Sequence, residues 1–317
     1  MSERPPEAVL WDFLRGAMMT RALGIVADLK VAQRLQDGPR SVDDLADGFD
    51  ADTLYRVLRA LASDGVFAEQ APRVFANTAA SETLTNGAWT SFAHLFGDVF
   101  YDAVADLDDA VRTGRATFEG TFGTDFWSWL KEHPTERAEF DRAMGGGKEP
   151  LAARLAALEW RDGEVVVDLG GGNGALLAAL LERRPTLRGI VFDLPETDRD
   201  EAAFPPGLEF VAGDFFERVP RAGTYVVRGI LHDWDDDRAG AILQTVHANA
   251  ENGARFIALD SVVPAGNEPD GSKWLDLLML VLAAGRERTE DEWRSLFEQN
   301  GFEVESAESG FIQARCR

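Results

Sequence analysis

The spacing of apolar residues divides the chain into two parts with different predicted structures. From Val9 to about Leu84 apolar positions recur every three or four residues, as in "ALGIVADLKVAQRL" (22–35), which predicts amphipathic helices. In "SVDDLADGF", Ser41 stands at an N-cap position and Asp44 at the capping-box position of a second helix. A third helix in "DADTLYRVLRALASDGVF" ends at Gly65, and "VFAEQAPRVFANT" predicts a two-stranded wing. Three helices and a wing indicate a winged-helix domain over residues 1–87.

From Val165 onward short apolar runs alternate with helical stretches. The runs are "VVVDLG", "GIVFDL", "LEFVAGD", "TYVVRGI" and "ARFIALDSV". This alternation predicts an α/β domain with a doubly wound, mostly parallel sheet over residues 148–317. The last two predicted strands, in "FEVESAESG" and "FIQARCR", have only a turn between them, so they are expected to form a closing antiparallel hairpin. Such a hairpin is uncommon in dinucleotide-binding folds.

Residues 88–147, between the two parts, are rich in aromatic side chains. At helical spacing such side chains are more often core than ligand pocket. So many beside a domain junction also suit a pocket for a flat apolar molecule. We therefore expect a helical linker that contributes to an acceptor pocket, with Trp127 as its candidate residue. The run "GGGK" (145–148) predicts a hinge.

Composition restricts the classes of protein and partner. With 45% hydrophobic and 27% charged residues, no long apolar run and no leader-like start, the 317-residue chain is expected to be cytoplasmic and not bound to a membrane. The single cysteine, Cys316, excludes a disulfide framework or a zinc site based on cysteine. A formal charge of −23 and a third helix with only Arg56 and Arg59 as basic residues disfavour nucleic acid, because a DNA-binding helix needs a basic face. The winged helix is therefore interpreted as a packing or dimerisation module.

A glycine-rich loop and acidic residues at strand ends indicate a cofactor site. In "VVVDLGGGNGALLAALLERR" the loop follows a strand and precedes a helix, and it also matches the weak G-x-G-x-x-A pattern of dinucleotide sites. Asp168, Asp193 and Asp214 each stand at a strand end, where the carboxyl edge of a parallel sheet forms one crevice, although helix caps are an alternative role. The loop carries no lysine or arginine for a pyrophosphate. A nucleoside without phosphates and with a cationic sulfonium, S-adenosylmethionine, suits this acidic crevice best.

Several motifs together resemble a known family. "VVVDLGGGNG", "RPTLRGIVFDLPE", "GLEFVAGDFFERVP", "ILHDWDDD" and "GRERTEDEW" are similar, in order and spacing, to the S-adenosylmethionine-dependent O-methyltransferases of the plant caffeate type and their bacterial secondary-metabolite relatives. The resemblance implies an intertwined homodimer, built by the winged helix, and a Rossmann-like methyltransferase domain with a mostly parallel seven-stranded sheet. It also places Arg228 where plant members carry lysine. The residues expected at the cofactor are Asp168, Gly170, Gly172, Asp193, Leu194, Gly213, Asp214, Phe215, Phe216, Arg228 and Met144.

The run "ILHDWDDD" (230–237) offers a base, a metal ligand or a helix cap. Transfer of a methyl group to a phenol, with a pKa near 10, needs a group that takes the phenolic proton, and His232 follows the fourth strand toward the crevice. In the resembled family this histidine is the base and is assisted by two acids, here Asp260 and Glu287. Plant members carry glutamate in place of Asp260, so the shorter aspartate is expected to contact His232 more loosely or through water. Asp235, Asp236 and Asp237 precede a helix and are interpreted as its caps, so no metal site is expected.

The acceptor is expected to be a small aromatic phenol of secondary metabolism. Its candidate contacts are Trp127, Asp233, Trp274, Leu278 and Met279. Each has an alternative structural role, in the core for the apolar ones and in the loop for Asp233. Two other classes of function stay open: another reaction on the same fold, such as decarboxylation, hydroxylation, or methylation of nitrogen or carbon, and a DNA-binding sensor of the cofactor.

Overall fold

The structure is a computed structural model that describes residues 5–197, 199–308 and 310–317. It divides into two compact units. The first unit is Met1–Asp109 with Thr117–Gly146, and the second is Ala110–Ala116 with Gly147–Arg317. The aromatic-rich helices of residues 88–109 and 117–146 thus cluster with the N-terminal helices. No helix in the described part of the chain is both long enough and apolar enough to cross a membrane.

The first unit is mainly helical. One helix, α9, begins in the first unit and ends in the second. With α9 included, the helices are α1 Pro6–Leu14, α2 Gly16–Asp28, α3 Val31–Arg34, α4 Val42–Ala46, α5 Ala51–Ser63, α6 Ala79–Glu82, α7 Gly87–Gly97, α8 Val99–Val104, α9 Leu107–Thr113, α10 Phe118–Phe122, α11 Phe126–Glu132 and α12 Pro134–Met144. Its three strands are β1 Arg40–Ser41, β2 Phe67–Ala71 and β3 Val74–Asn77. They form an antiparallel sheet in the order β1-β3-β2. The predicted two-stranded wing therefore has a third, two-residue strand.

The predicted Ser41 cap of the first unit is present, and one predicted helix is broken. The Ser41 side chain accepts a hydrogen bond from the backbone amide of Asp44 at 3.1 Å, as the capping pattern predicts. The stretch 22–35 is divided between α2 and α3 because Lys30 adopts a left-handed conformation, with φ 53°. The break leaves Val31 and Ala32 buried, so packing outweighs the continuous helical pattern at this point.

Two glycines let two helices of the first unit cross at very short distance. A Cβ atom on Gly97, the last residue of α7, would stand 2.7 Å from the Cα atom of Gly24 in α2. The reverse substitution would bring a Cβ atom within 2.8 Å of the Cα atom of Gly97. Because no real Cβ atom tolerates such distances, this crossing requires glycine at both positions.

The second unit is an α/β domain. Its helices are α13 Lys148–Ala156, α14 Ala175–Arg183, α15 Asp236–Asn249, α16 Ser272–Ala283 and α17 Glu290–Gln299. Its strands are β4 Val165–Leu169, β5 Arg188–Asp193, β6 Leu208–Ala212, β7 Thr224–Arg228, β8 Arg255–Leu259, β9 Val262–Val263, β10 Arg288–Thr289, β11 Phe302–Glu308 and β12 Phe311–Cys316. Strands β9 and β10 form a separate parallel pair.

The other seven strands form one sheet in the order β11-β12-β8-β7-β4-β5-β6. Neighbours from β8 to β6 pair in parallel, whereas β12 is antiparallel to both β8 and β11. Both faces are covered: Val166, Val226 and Ile257 pack with α13 and α14, while residues of the opposite face, such as Tyr225, pack with α15 and α17. The predicted fold class, a Rossmann-like domain with a mostly parallel sheet and a closing hairpin, is confirmed.

Candidate active site

The glycine-rich loop connects the end of β4 to the start of α14. Gly170, Gly172 and Gly174 have φ values of 70°, 58° and 77°, which only glycine adopts without strain. A Cβ atom on Gly170 would also collide with the Ile230 side chain. At Gly172, by contrast, a Cβ atom would meet no atom within 4 Å, so the loop backbone is open on that side. This loop can therefore approach a ligand closely.

Asp193 joins the glycine-rich loop to the end of β5. Its Oδ2 atom accepts a hydrogen bond from the Gly172 amide at 2.8 Å. Its Oδ1 atom accepts from the Leu194 amide at 2.7 Å and from the Thr197 hydroxyl at 2.9 Å. The structure thus brings three of the predicted cofactor residues, Gly172, Asp193 and Leu194, into direct contact.

Asp168, one residue before the end of β4, is a buried carboxyl. Burial raises the pKa of Asp168 to about 7, and the positive charges of Lys148 and Arg228 act in the opposite direction. Any side chain at Gly171 would collide with this carboxyl. Burial also lowers the pKa of Arg228, with Asp168 and Asp260 acting against that effect.

A lysine that the sequence reasoning missed stands at the glycine-rich loop. The Lys148 amino group donates a hydrogen bond to the Asn173 side-chain oxygen at 2.9 Å. The interpretation that no basic residue accompanies the loop was therefore wrong. Lys148 lies 25 residues upstream of Asn173, at the first position of α13, so only the fold brings the two together. The only sequence signal was its place in "GGGK".

The end of the neighbouring strand β6 carries further predicted cofactor residues. Gly213 donates its amide to the Asp193 carbonyl at 3.0 Å, next to the glycine-rich loop. The Asp214 side chain accepts a hydrogen bond from the Phe216 amide at 2.8 Å and so shapes the turn. The Phe215 and Phe216 rings contact each other, with centroids 5.0 Å apart. These strand ends lie side by side because β4, β5 and β6 are neighbours in the sheet.

His232 lies in a short turn after β7, at the same edge of the sheet. Its Nδ1 atom is 2.7 Å from the Glu287 Oε1 atom, and its Nε2 atom is 3.5 Å from the Asp233 Oδ1 atom. Glu287 is buried just before β10, and its amide donates to the Asp276 carboxylate at 2.8 Å. The predicted contact of His232 with Glu287 is present, and Asp233 is a second acidic neighbour.

The acidic surroundings control the charge of His232. Burial disfavours the imidazolium, but the carboxylates of Asp233, Glu287 and Asp260 outweigh it and raise the pKa of His232 to about 10. Burial also raises the pKa of Asp233 to about 7, although the charge of His232 lowers it. The imidazole and its carboxylates are therefore an electrostatically coupled group.

Asp260, the second predicted assisting acid, is buried directly after β8. Its carboxylate oxygens have no hydrogen-bond partner of normal geometry among the described residues. Burial raises the pKa of Asp260, and the charge of His232 acts in the opposite direction. The structure therefore gives Asp260 an electrostatic relation to His232, while Glu287 makes the direct contact.

The three aspartates after Trp234 begin a helix. The Asp235 side chain caps α15 by accepting from the Arg238 amide at 2.8 Å, and Asp236 and Asp237 lie in its first turn. Among residues 5–197, 199–308 and 310–317 no group of three or more histidine, cysteine or acidic side chains could hold a metal ion. That no metal takes part in the reaction stays a prediction.

The candidate acceptor residues differ in exposure. Trp274, on α16, is 63% exposed, whereas Leu278 and Met279, on the same helix, are buried. Trp127 and Met144 belong to the first unit: Trp127 packs against Phe126 and Phe140, and Met144 is the last residue of α12. Their roles in binding stay predictions.

Comparison with known proteins agrees with this geometry. Residues 104–303 match the model of an O-methyltransferase domain, and residues 11–87 match that of an O-methyltransferase dimerisation domain. The chain is 36% identical to a phenazine O-methyltransferase of Lysobacter antibioticus, over 95% of this chain and 92% of the relative. It is 35% identical to a mitomycin biosynthesis 6-O-methyltransferase of Streptomyces lavendulae, over 94% and 90%.

A solved structure is similar along nearly the whole chain. It is an O-methyltransferase from neocarzinostatin biosynthesis, in complex with S-adenosyl-L-homocysteine and 1,4-dihydroxy-2-naphthoic acid. The TM-score is 0.79 with 32% sequence identity, and the match covers 93% of this chain and 94% of that one. The predicted family is confirmed: the chain belongs to the O-methyltransferase family, as an enzyme with a dimerisation domain followed by an O-methyltransferase domain.

Proposed function

We propose that the chain transfers a methyl group from S-adenosylmethionine to a hydroxyl of a small aromatic acceptor of secondary metabolism, with His232 as the general base. The observation that carries the proposal is the position of His232: it is bonded to Glu287 at the sheet edge that also carries the open glycine-rich loop. The phenazine and dihydroxynaphthoic acid in the names of its relatives support an aromatic acceptor.

The residues around the glycine-rich loop fit the proposed cofactor. The exposed backbone at Gly172 leaves room for a ligand, and the Asp193 carboxylate can accept from the two ribose hydroxyls, one of them in place of the Thr197 hydroxyl. Asp214 is suited to the adenine amino group, and Lys148 to the carboxylate of the methionine part. When bound, S-adenosylmethionine supplies the electrophilic methyl group and a positive sulfonium.

The raised pKa of His232 suits proton transfer from a phenol. An ordinary histidine, with a pKa near 6.5, would take a proton from a phenol of pKa near 10 at a cost of about 5 kcal/mol. The carboxylates around His232 raise its pKa to about 10 and remove most of this difference. The consequence is that, without an acceptor bound, the His232 imidazole carries a proton at neutral pH. Transfer of the phenolic proton to His232 should therefore become more frequent toward alkaline pH.

The test of this function separates binding from chemistry. A mass-spectrometric screen of hydroxyphenazines and hydroxynaphthoic acids, with a labelled methyl donor, first finds a working acceptor. His232→Gln should then lower turnover roughly 10²- to 10⁴-fold and leave S-adenosylhomocysteine affinity unchanged by calorimetry. Alkaline pH should partly rescue this variant, because a phenol then ionises unaided.

Asp193→Ala is the converse control and should weaken cofactor binding about 10- to 150-fold. Normal turnover of His232→Gln at pH 7 would favour another reaction on the same fold.

A further inference from the structure

The buried guanidinium of Arg288 contacts the loop that carries His232. Arg288 is the first residue of β10 and is completely buried, which is rare for arginine. We define the histidine loop as residues 231–236. The Arg288 Nη1 atom donates to the Leu231 carbonyl and the Nη2 atom to the Trp234 carbonyl, each at 2.9 Å. The Nε atom donates to the Asp236 carboxylate at 2.8 Å.

These contacts lie on both sides of His232. The carbonyl of Leu231 precedes the histidine, and that of Trp234 follows Asp233. A third carbonyl, that of His232 itself, accepts from the Arg286 amide at 2.8 Å. This hydrogen bond joins two backbone groups, so it does not depend on the side chain at position 286. The Arg286 side chain also binds this loop, at the Asp236 carboxylate, but the Arg288 side chain is the one that donates to the carbonyls at both ends of the turn.

The same strand segment supplies the partner of the imidazole. Glu287, next to Arg288 in sequence, contacts the Nδ1 atom of His232. Arg288 pairs with Val262 across the β9–β10 ladder, so the segment is fixed to the chain that follows β8. The Arg288 guanidinium also lies over the Trp293 ring, 5.1 Å from its centroid. Adjacent residues of one chain segment, paired with β9, thus supply both the carboxylate and the guanidinium.

We infer that Arg288 is a positioning residue, which holds the histidine loop by its main-chain carbonyls and thereby keeps the His232 imidazole between Glu287 and Asp233. This inference rests on the proposed function for the role of His232 in catalysis, although the positioning itself can be tested without turnover. A lysine has a single nitrogen and cannot reach two carbonyls and a carboxylate in this planar arrangement.

The central experiment is Arg288→Lys, which keeps the positive charge and removes the planar donor set. The pKa of His232 is measured by NMR titration of the imidazole protons, with no acceptor present. It should fall by about one unit or more, because a looser loop moves the imidazole away from its carboxylates. With the acceptor found in the screen, turnover should fall about 10- to 100-fold. The S-adenosylhomocysteine affinity should stay close to that of the wild type, whereas the melting temperature should fall, because buried carbonyls of the histidine loop lose their donors.

Arg255→Lys is the matched control. Arg255 is also largely buried and binds a carboxylate, Glu164, and a carbonyl, that of Glu159, but it lies at the start of β8, the opposite end of the strands. The Arg255→Lys variant should leave the pKa of His232 and the turnover unchanged. An unchanged His232 pKa in a folded Arg288→Lys protein, or an equal shift in Arg255→Lys, would overturn the inference.

A second pair of variants covers the case in which Arg288→Lys does not fold. Asp236→Asn weakens the anchor of the Arg288 guanidinium at a half-exposed carboxylate that also binds Arg286, and Asp237→Asn makes the same charge change one residue away. Asp236→Asn should lower the His232 pKa and turnover more than Asp237→Asn does. If the two variants changed the His232 pKa and turnover equally, loss of charge alone would explain the result and the positioning role of Arg288 would be rejected. Normal turnover of His232→Gln, in contrast, would reject the base and leave the NMR result intact.

Discussion

At the scale of single residues, negative charge surrounds the one imidazole that we propose as the base, that of His232. Glu287 contacts the Nδ1 atom of His232, so the Nε2 atom, which Asp233 approaches to 3.5 Å, is the nitrogen left to meet an acceptor. Under the proposed function, Asp233 therefore influences the same atom that takes the proton. Its carboxylate favours the charged imidazole and competes with the base form.

This arrangement predicts an alkaline pH dependence. Since the pKa of His232 is raised to about 10, kcat/KM should rise with pH through an apparent pKa well above 6.5. Asp233→Asn removes a negative charge beside the Nε2 atom, so this apparent pKa should move to lower pH. Asp237→Asn, an equal charge change in the first turn of α15, should leave it near the wild-type value. A profile that is identical in wild type and Asp233→Asn would contradict the electrostatic role of Asp233.

The sequence predicted part of this site. The strand-end acids and the histidine follow from the alternation of strands and loops, because every parallel strand delivers its last residue to the same edge. Arg288 and Lys148 were missed for different reasons. Arginine is normally exposed, so no pattern marks a buried one, and Lys148 reaches the glycine-rich loop only through the packing of α13.

At the scale of elements, the crossing of α2 and α7 is the most demanding contact in the first unit. Gly97→Ala should destabilise the protein by about 1–3 kcal/mol, because the added methyl group forces two backbones apart. Gly120→Ala, within α10, is the matched control: its Cβ atom would meet nothing within 4 Å, so a gain of up to about 1 kcal/mol is expected. Thermal or urea unfolding measures both. Equal stabilities of the Gly97→Ala and Gly120→Ala proteins would show that α2 and α7 move apart to accept the methyl group without cost.

The same scale shows where prediction from sequence stops. Long periodic elements such as α5 and the strands β4 to β8 were predicted because burial repeats along them. The break at Lys30 was not, because a single left-handed residue leaves the apolar spacing of "ALGIVADLKVAQRL" intact. The two-residue strand β1 was missed because two residues carry no alternation.

At the scale of the whole molecule, the exposed apolar surface of the first two helices is the main feature. Leu10, Phe13, Leu14 and Met18 are each more than 60% exposed, which is unusual for so many neighbouring large apolar side chains. They lie in or beside the matched dimerisation domain, residues 11–87. We expect a second copy of the chain to cover them.

Light scattering should therefore give a mass of about 70 kDa, twice the 34.8 kDa of one chain. The double variant Leu10→Asp and Leu14→Asp should shift the protein toward monomers, because the new charges would have to be desolvated at the interface. Val111→Asp changes a still more exposed apolar residue outside the dimerisation domain and should keep the dimer mass. A wild-type mass near that of one chain would reject the homodimer.

The hydrogen bonds to the carbonyls of the histidine loop have a consequence for divergence among related enzymes. The loop is fixed through the carbonyl oxygens of Leu231, His232 and Trp234, and a carbonyl is the same whichever side chain the residue carries. An exchange at position 232 would therefore remove the imidazole and keep the hydrogen bonds that shape the turn. Evolution could in this way lose the proposed base in one step while the backbone of the site persists, and a new reaction could arise from a protein that still folds.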